Sequence, residues 1–176
     1  MNNASPRIDT TELTPGLSAG GELETAIGQF AAAALSADGV DPIVTELVRL
    51  RCAQIHDCRI CGSLRIQEAL DEGFDETMQR KIADYEHSDF SPKIIAALRL
   101  CDAIILDPLS ADETLKQQLK RHFSEPQITE ICFDIIKWSQ QKPLVALRLD
   151  KPDWDQPTAL TFDENGTPIF GGPAYI

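Results

Sequence analysis

The sequence predicts an all-α fold: a helical bundle built around a central helical hairpin, followed by an irregular C-terminal tail. Three observations predict it. Apolar residues recur at three- and four-residue spacing through most of positions 21–149, the period of an amphipathic helix. Ser, Asp, Pro and Gly stand where those runs start and stop, as helix ends require. Strand patterns do not alternate with helical ones, and there is no internal repeat.

Residues 1–20 carry Pro, Gly, Ser and Thr without apolar periodicity and are expected to form a flexible arm. Glu22 to Ser36 reads as a helix, with Leu23, Ile27, Phe30 and Ala34 in register. Asp41-Pro42 opens the next, because proline is tolerated in a first turn. This helix runs to about His56 and is apolar around much of its girth (Ile43, Leu47 and Leu50; Val44, Val48, Cys52 and Ile55), so it should be central. A further helix is expected from Cys58 to Glu72, stopped by Gly73, and a shorter polar one from Asp75 to Tyr85. Ser91-Pro92 opens an apolar helix through Ile105 that Pro108 stops, and Ser110 is expected to cap one reaching Phe123. Glu125 to Gln141 places Ile128, Ile131, Cys132, Ile135 and Trp138 on one face, with Pro143 as its end. Three parts follow: an arm over 1–20, a helical domain over 21–149 and an extended tail over 150–176. In the tail, Ala159–Phe162 and Thr167–Phe170 flank Asn165-Gly166 and can pair as a hairpin.

Composition narrows the function. Among 176 residues, 28 acidic side chains against 16 basic give a net charge of −12, which repels phosphate backbones and argues against nucleic acid. No run approaches the ~18 apolar residues of a membrane span, and the polar N-terminus lacks a signal-peptide pattern. Five cysteines, three of them (Cys52, Cys101, Cys132) single within helical patterns, do not form a secreted disulfide framework. The expected location is cytoplasmic. No metal-spaced cluster and no Gly-rich turn after a strand points to a metal or cofactor.

The chemistry concentrates in ELVRLRCAQIHDCRICGSLR, residues 46–65. Cys58 and Cys61, three apart at a helix start, can reach each other to form a disulfide. First-turn amides favour a thiolate there, and Asp57, the expected cap, opposes it. If the chain reverses at His56, Glu46 and Arg65 fall at the same level of a helical hairpin. Arg65 also lies one turn beyond Cys61, so Glu46, Arg65 and Cys61 can form one cluster. Arg49, three residues from Glu46, is a rival partner that would make Glu46 part of an ordinary ion pair. His56, beside the reversal, can supply an imidazole.

Glu46, the eleven residues after it, Cys58-x-x-Cys61 and the flanking Leu50-Arg51 and Ala53-Gln54 resemble the carboxymuconolactone decarboxylase superfamily. The similarity is to its alkyl hydroperoxidase D-like (AhpD-like) branch and extends more weakly to Leu149. The resemblance implies an all-helical homo-oligomer, a trimer or hexamer. It also implies reduction of a small-molecule peroxide or disulfide by the cysteine pair, with a dithiol as reductant. The branch places a proton-relaying His four residues after the second cysteine, where this chain has Arg65. An arginine stays protonated and cannot shuttle protons, but it can steady a thiolate.

The expected function is therefore a thiol-dependent oxidoreductase cycling through a Cys58–Cys61 disulfide. Cys58 lies nearer the helix end, which favours a lower pKa. Cys61 lies nearer the expected charge cluster and is favoured as nucleophile, with Cys58 resolving. Two other classes remain open: a lyase acting on a small cyclic acid through Arg49 or Arg65, and a non-catalytic redox-sensing oligomer.

Overall fold

The computed structural model describes residues 21–163 and 167–175. The expected arm over 1–20 and the Asn165-Gly166 turn lie outside them, as does the side chain of Leu23. The fold is mostly helical, with one small sheet.

Helix α2 (Pro42–His56) is the axis of the molecule, as its two apolar stripes predict. It packs against α6 (Pro92–Leu106) and α8 (Glu125–Ser139). Val48, Leu98, Ile131 and Ile135 at this junction are at most 1% exposed. Each such side chain contributes roughly 1.5–3 kcal/mol relative to exposure. The first helix, α1 (Gly21–Leu35), lies outside on α8, with Phe30 meeting Phe133 edge-on at 6.2 Å.

Capping side chains fix where the long helices begin. Asp41 accepts from the Ile43 and Val44 amides, Ser91 from Ile94, and Ser124 with Gln127 forms a reciprocal capping box. Helix α7 (Glu113–His122) is capped by Asp112, not by the expected Ser110, which lies in a 3-10 turn over Pro108–Ser110. Pro143 does not close the α8 segment; it sits in the first turn of a further helix, α9 (Lys142–Leu147).

The largest departure from expectation lies between Cys58 and Glu72, where one helix was predicted. The chain instead forms α3 (Arg59–Gly62), strand β1 (Leu64–Ile66) and α4 (Gln67–Asp71), ending at Gly73 with φ +94°. Beyond it, α5 (Glu76–Lys81) continues into a 3-10 turn over Ile82–His87. The cause of the break is non-local. Strand β2 (Thr158–Phe162) lies parallel to β1, pairing Leu64 with Thr158 and Ile66 with Leu160. Strand β3 (Pro168–Pro173) adds antiparallel to β2, as the expected hairpin requires. The tail thus docks on its own chain. It satisfies backbone groups that an isolated β1 would leave unpaired. Trp154 reinforces the contact, its indole N–H donating to Ser63 Oγ at 2.9 Å.

Candidate active site at the paired cysteines

Helix α2 ends where Asp57 adopts the left-handed conformation (φ 55°), its amide reaching back to Gln54 O. Asp57 therefore closes α2 and does not cap the next helix. Cys58 performs that cap itself, its Sγ accepting from the Cys61 amide at 3.4 Å. This turn brings the two sulfurs to 2.8 Å, with Cys58 donating to Cys61. Both thiols are free and buried, 4% and 7% exposed.

The two sulfurs are not equivalent. The Cys58 S–H stabilises a Cys61 thiolate most directly, and the cations Arg49 and Lys137 act in the same direction against burial. The result holds the Cys61 thiol below its ordinary value. Cys58 is pushed well up by the same S–H bond, by burial and by negative charge on Asp150. The thiolate therefore belongs on Cys61, and the proton on Cys58.

Arg49 is the hub of the site. Its guanidinium grips Glu46 through Nε–Oε2 at 2.7 Å and Nη2–Oε1 at 2.8 Å, both residues being 0% exposed. Its remaining N–H groups donate to Cys61 O at 2.6 Å and Leu64 O at 2.5 Å. A buried bidentate pair with further carbonyl partners is the arrangement in which a buried arginine keeps its charge. Arg49 thus ties α2 to the cysteine turn and sets a fixed positive charge near it.

Lys137, on α8, is 7% exposed and lies over the Trp138 ring. Among the described residues its Nζ has no carboxylate within ion-pair distance. Burial, assisted by Arg49, lowers its pKa to about 7. It is therefore a cation that can lose its proton near neutrality, and its charge favours the Cys61 thiolate. Asp134, one turn earlier, is raised to about 7, chiefly by burial.

The expected Glu46–Arg65–Cys61 cluster does not form. Arg65 lies in β1, and its guanidinium donates to Gly62 O at 2.8 Å, to Leu64 O and to Gln79 Oε1, and meets Tyr175 Oη at 3.2 Å. A helical hairpin with Glu46 level with Arg65 needs a continuous helix after Cys58; with that helix broken into α3, β1 and α4, levels counted from the reversal no longer correspond. Glu46 takes the rival partner instead. His56 is held by Ser139, Nε2 to Oγ at 3.0 Å, and burial lowers its pKa to about 4. Among the described residues it has no hydrogen bond to either cysteine.

Lys137 was not picked out from the sequence. Its signal is faint: Asp134 and Lys137 sit three apart within an otherwise apolar run, EICFDIIKW, where charged residues are costly unless partnered. A cavity of about 200 Å³, whose wall includes Leu50, Ala53, Gln54, Asp57, Cys58 and Arg59, reaches the pair at Cys58. Cys61 is not among the residues lining it. Arg59 is held there by Asp150, with its Nη2 at 3.1 Å from Oδ1.

No family model matches the chain. The uncharacterized protein Rv2313c of Mycobacterium tuberculosis is 37% identical over 136 residues, covering 75% of this chain and 47% of that protein. The uncharacterized protein YnjA of Escherichia coli is 28% identical over 93 residues, covering 52% and 51%. The chain spans about half the length of these curated relatives. A crystal structure from Agrobacterium tumefaciens superposes with a TM-score of 0.67 at 20% identity, covering 85% of this chain and all of that one. That protein, ATU0492, is of unknown function and provisionally linked to antioxidant defence as AhpD. The chain has this AhpD-like, mostly helical fold.

Proposed function

We propose that the chain is a dithiol oxidoreductase that reduces a small hydroperoxide, with Cys61 as nucleophile and Cys58 as resolving thiol. The observation that carries the proposal is the asymmetric sulfur pair: 2.8 Å apart, proton on Cys58, two cations favouring charge on Cys61. Cys61 Sγ attacks the terminal peroxide oxygen and the O–O bond breaks. Lys137 supplies the proton that lets the alcohol leave, and Cys61 becomes a sulfenic acid. Cys58 then attacks Cys61 Sγ, the S–O bond breaks, and the Cys58 proton leaves with hydroxide as water. An incoming dithiol reduces the disulfide at Cys58, the sulfur on the cavity wall. It expels Cys61 as the better-stabilised thiolate, which favours that direction of attack.

In this reading Glu46 positions Arg49, Arg65 fixes the strand that follows the cysteines, and His56 stays neutral and structural. The half-exposed Ile27, Phe133 and Ile136 on α1 and α8 support a homo-oligomer buried along that face. The test is free-thiol titration of purified protein before and after a slight excess of cumene hydroperoxide. Fast loss of a pair of thiols that requires both Cys58 and Cys61, and reverses with a dithiol, is expected. Slow, independent loss of each thiol would remove the proposal.

A further inference from the structure

A second pair of thiols lies between the central helix and α6 and takes no part in the chemistry above. Cys52, on α2, and Cys101, on α6, place their sulfurs 3.5 Å apart. They are 1% and 0% exposed, and Cys101 also contacts Val48 O at 3.9 Å. A disulfide needs about 2.05 Å between sulfurs, so closure asks for a shift of about 1.5 Å shared between two side chains. Helices α2 and α6 are already packed against each other.

We infer that Cys52 and Cys101 are a second redox couple, closing to a disulfide that staples α2 to α6 when hydroperoxide reaches the core. The Cys101 S–H also points to Val48 O at 3.9 Å, which holds its proton, and contact with Cys52 and burial push its thiol up. Cys52 therefore takes the first step. Its sulfur attacks hydrogen peroxide, the O–O bond breaks, and the departing hydroxide leaves as water with the Cys52 proton. Cys101 then attacks the Cys52 sulfenic acid. The S–O bond breaks, and the second hydroxide leaves as water with the Cys101 proton. One peroxide is reduced to water and the two thiols are oxidised to one disulfide. The staple would clamp the helix that carries Glu46 and Arg49, and it would close a long loop in the unfolded chain.

The test uses the full chain with Cys58→Ser and Cys61→Ser, so its result does not depend on the function proposed above. The folded protein is treated with hydrogen peroxide, alkylated, digested and examined by mass spectrometry. A cross-linked peptide joining Cys52 to Cys101, lost on treatment with a dithiol, is expected. The oxidised sample should melt about 5 °C or more above the reduced one. Two separately alkylated cysteines in a sample that keeps its native melting transition would overturn the inference. So would a cross-link that forms only in denaturant. Should the double variant not fold, the unsubstituted chain cleaved on the amino side of aspartate decides the question, because cleavage before Asp57 places Cys52 and Cys58 on separate peptides.

Discussion

Two thiol pairs flank helix α2, both made of nearly buried sulfurs, and they differ in what surrounds them. Around Cys58 and Cys61 stand Arg49 and Lys137, and a cavity reaches Cys58. Around Cys52 and Cys101 stand the apolar side chains of the main core. In the first pair the Cys58 S–H, then Arg49 and Lys137, favour the thiolate on Cys61, the asymmetry on which the proposed function rests. In the second, contact with Cys52, burial and the Asp102 carboxylate push the Cys101 thiol up, with Arg51 opposing, and Cys101 keeps its proton. Proximity of sulfurs makes a disulfide possible in both places; on the proposed function, the cations acting on Cys61 should make that pair the faster.

The largest effect is expected on removing the sulfur proposed as nucleophile. Cys61→Ser should lower peroxide turnover by about 10³-fold or more, with Cys58→Ser instead leaving one oxidation event that cannot be reset. Stopped-flow peroxide consumption, single and multiple turnover, separates the two. Next comes the charge that distinguishes the sites. Arg49→Met leaves Glu46 buried without a partner and should cost about 3–5 kcal/mol in denaturant unfolding. Adding Glu46→Gln should restore much of that stability, but not the depressed thiol pKa measured by alkylation rate against pH.

Lys137→Met sharpens the comparison by making the first site more like the second. Turnover should fall by about 10²-fold, and the limb of the pH–rate profile near pH 7 should disappear. Stability should move the other way. The folded pKa of Lys137 lies below its unfolded value, so its contribution is complete above about pH 10.5 and lost as pH falls through about 7. The methionine variant should therefore be more stable than the parent below neutrality, by about 1–3 kcal/mol. An unaltered pH–rate profile would remove Lys137 from the proton path.

The smallest effect is expected at His56. His56→Gln should leave turnover unchanged across pH, whereas a lost ionisation would return the imidazole to the mechanism. Its folded pKa of about 4 lies below the ordinary 6.5. Its stabilisation is therefore present above about pH 6.5 and lost as pH falls through about 4, and the variant should lack that acid slope in thermal melts.

The sequence alone determined the helices whose signals are local. α2, α6 and α8 are there because capping residues open them and apolar residues repeat at helical spacing inside them, and both devices act within a few residues. It also determined the Cys58–Cys61 pair, since a three-residue separation at a tight turn leaves the sulfurs little choice but to meet. Glu46 could be singled out, but not its partner: Arg49 and Arg65 were both in reach until the backbone after Cys58 was known. Only the tertiary structure decided that backbone. Its strand β1 exists because β2, more than ninety residues later, pairs with it, and a local period cannot register so distant a neighbour. The same holds for Lys137 beside Cys61 and for Cys52 beside Cys101. Each pairing is made by helices packing across the core, and the proton chemistry of a thiol depends on charges that only this packing brings within reach.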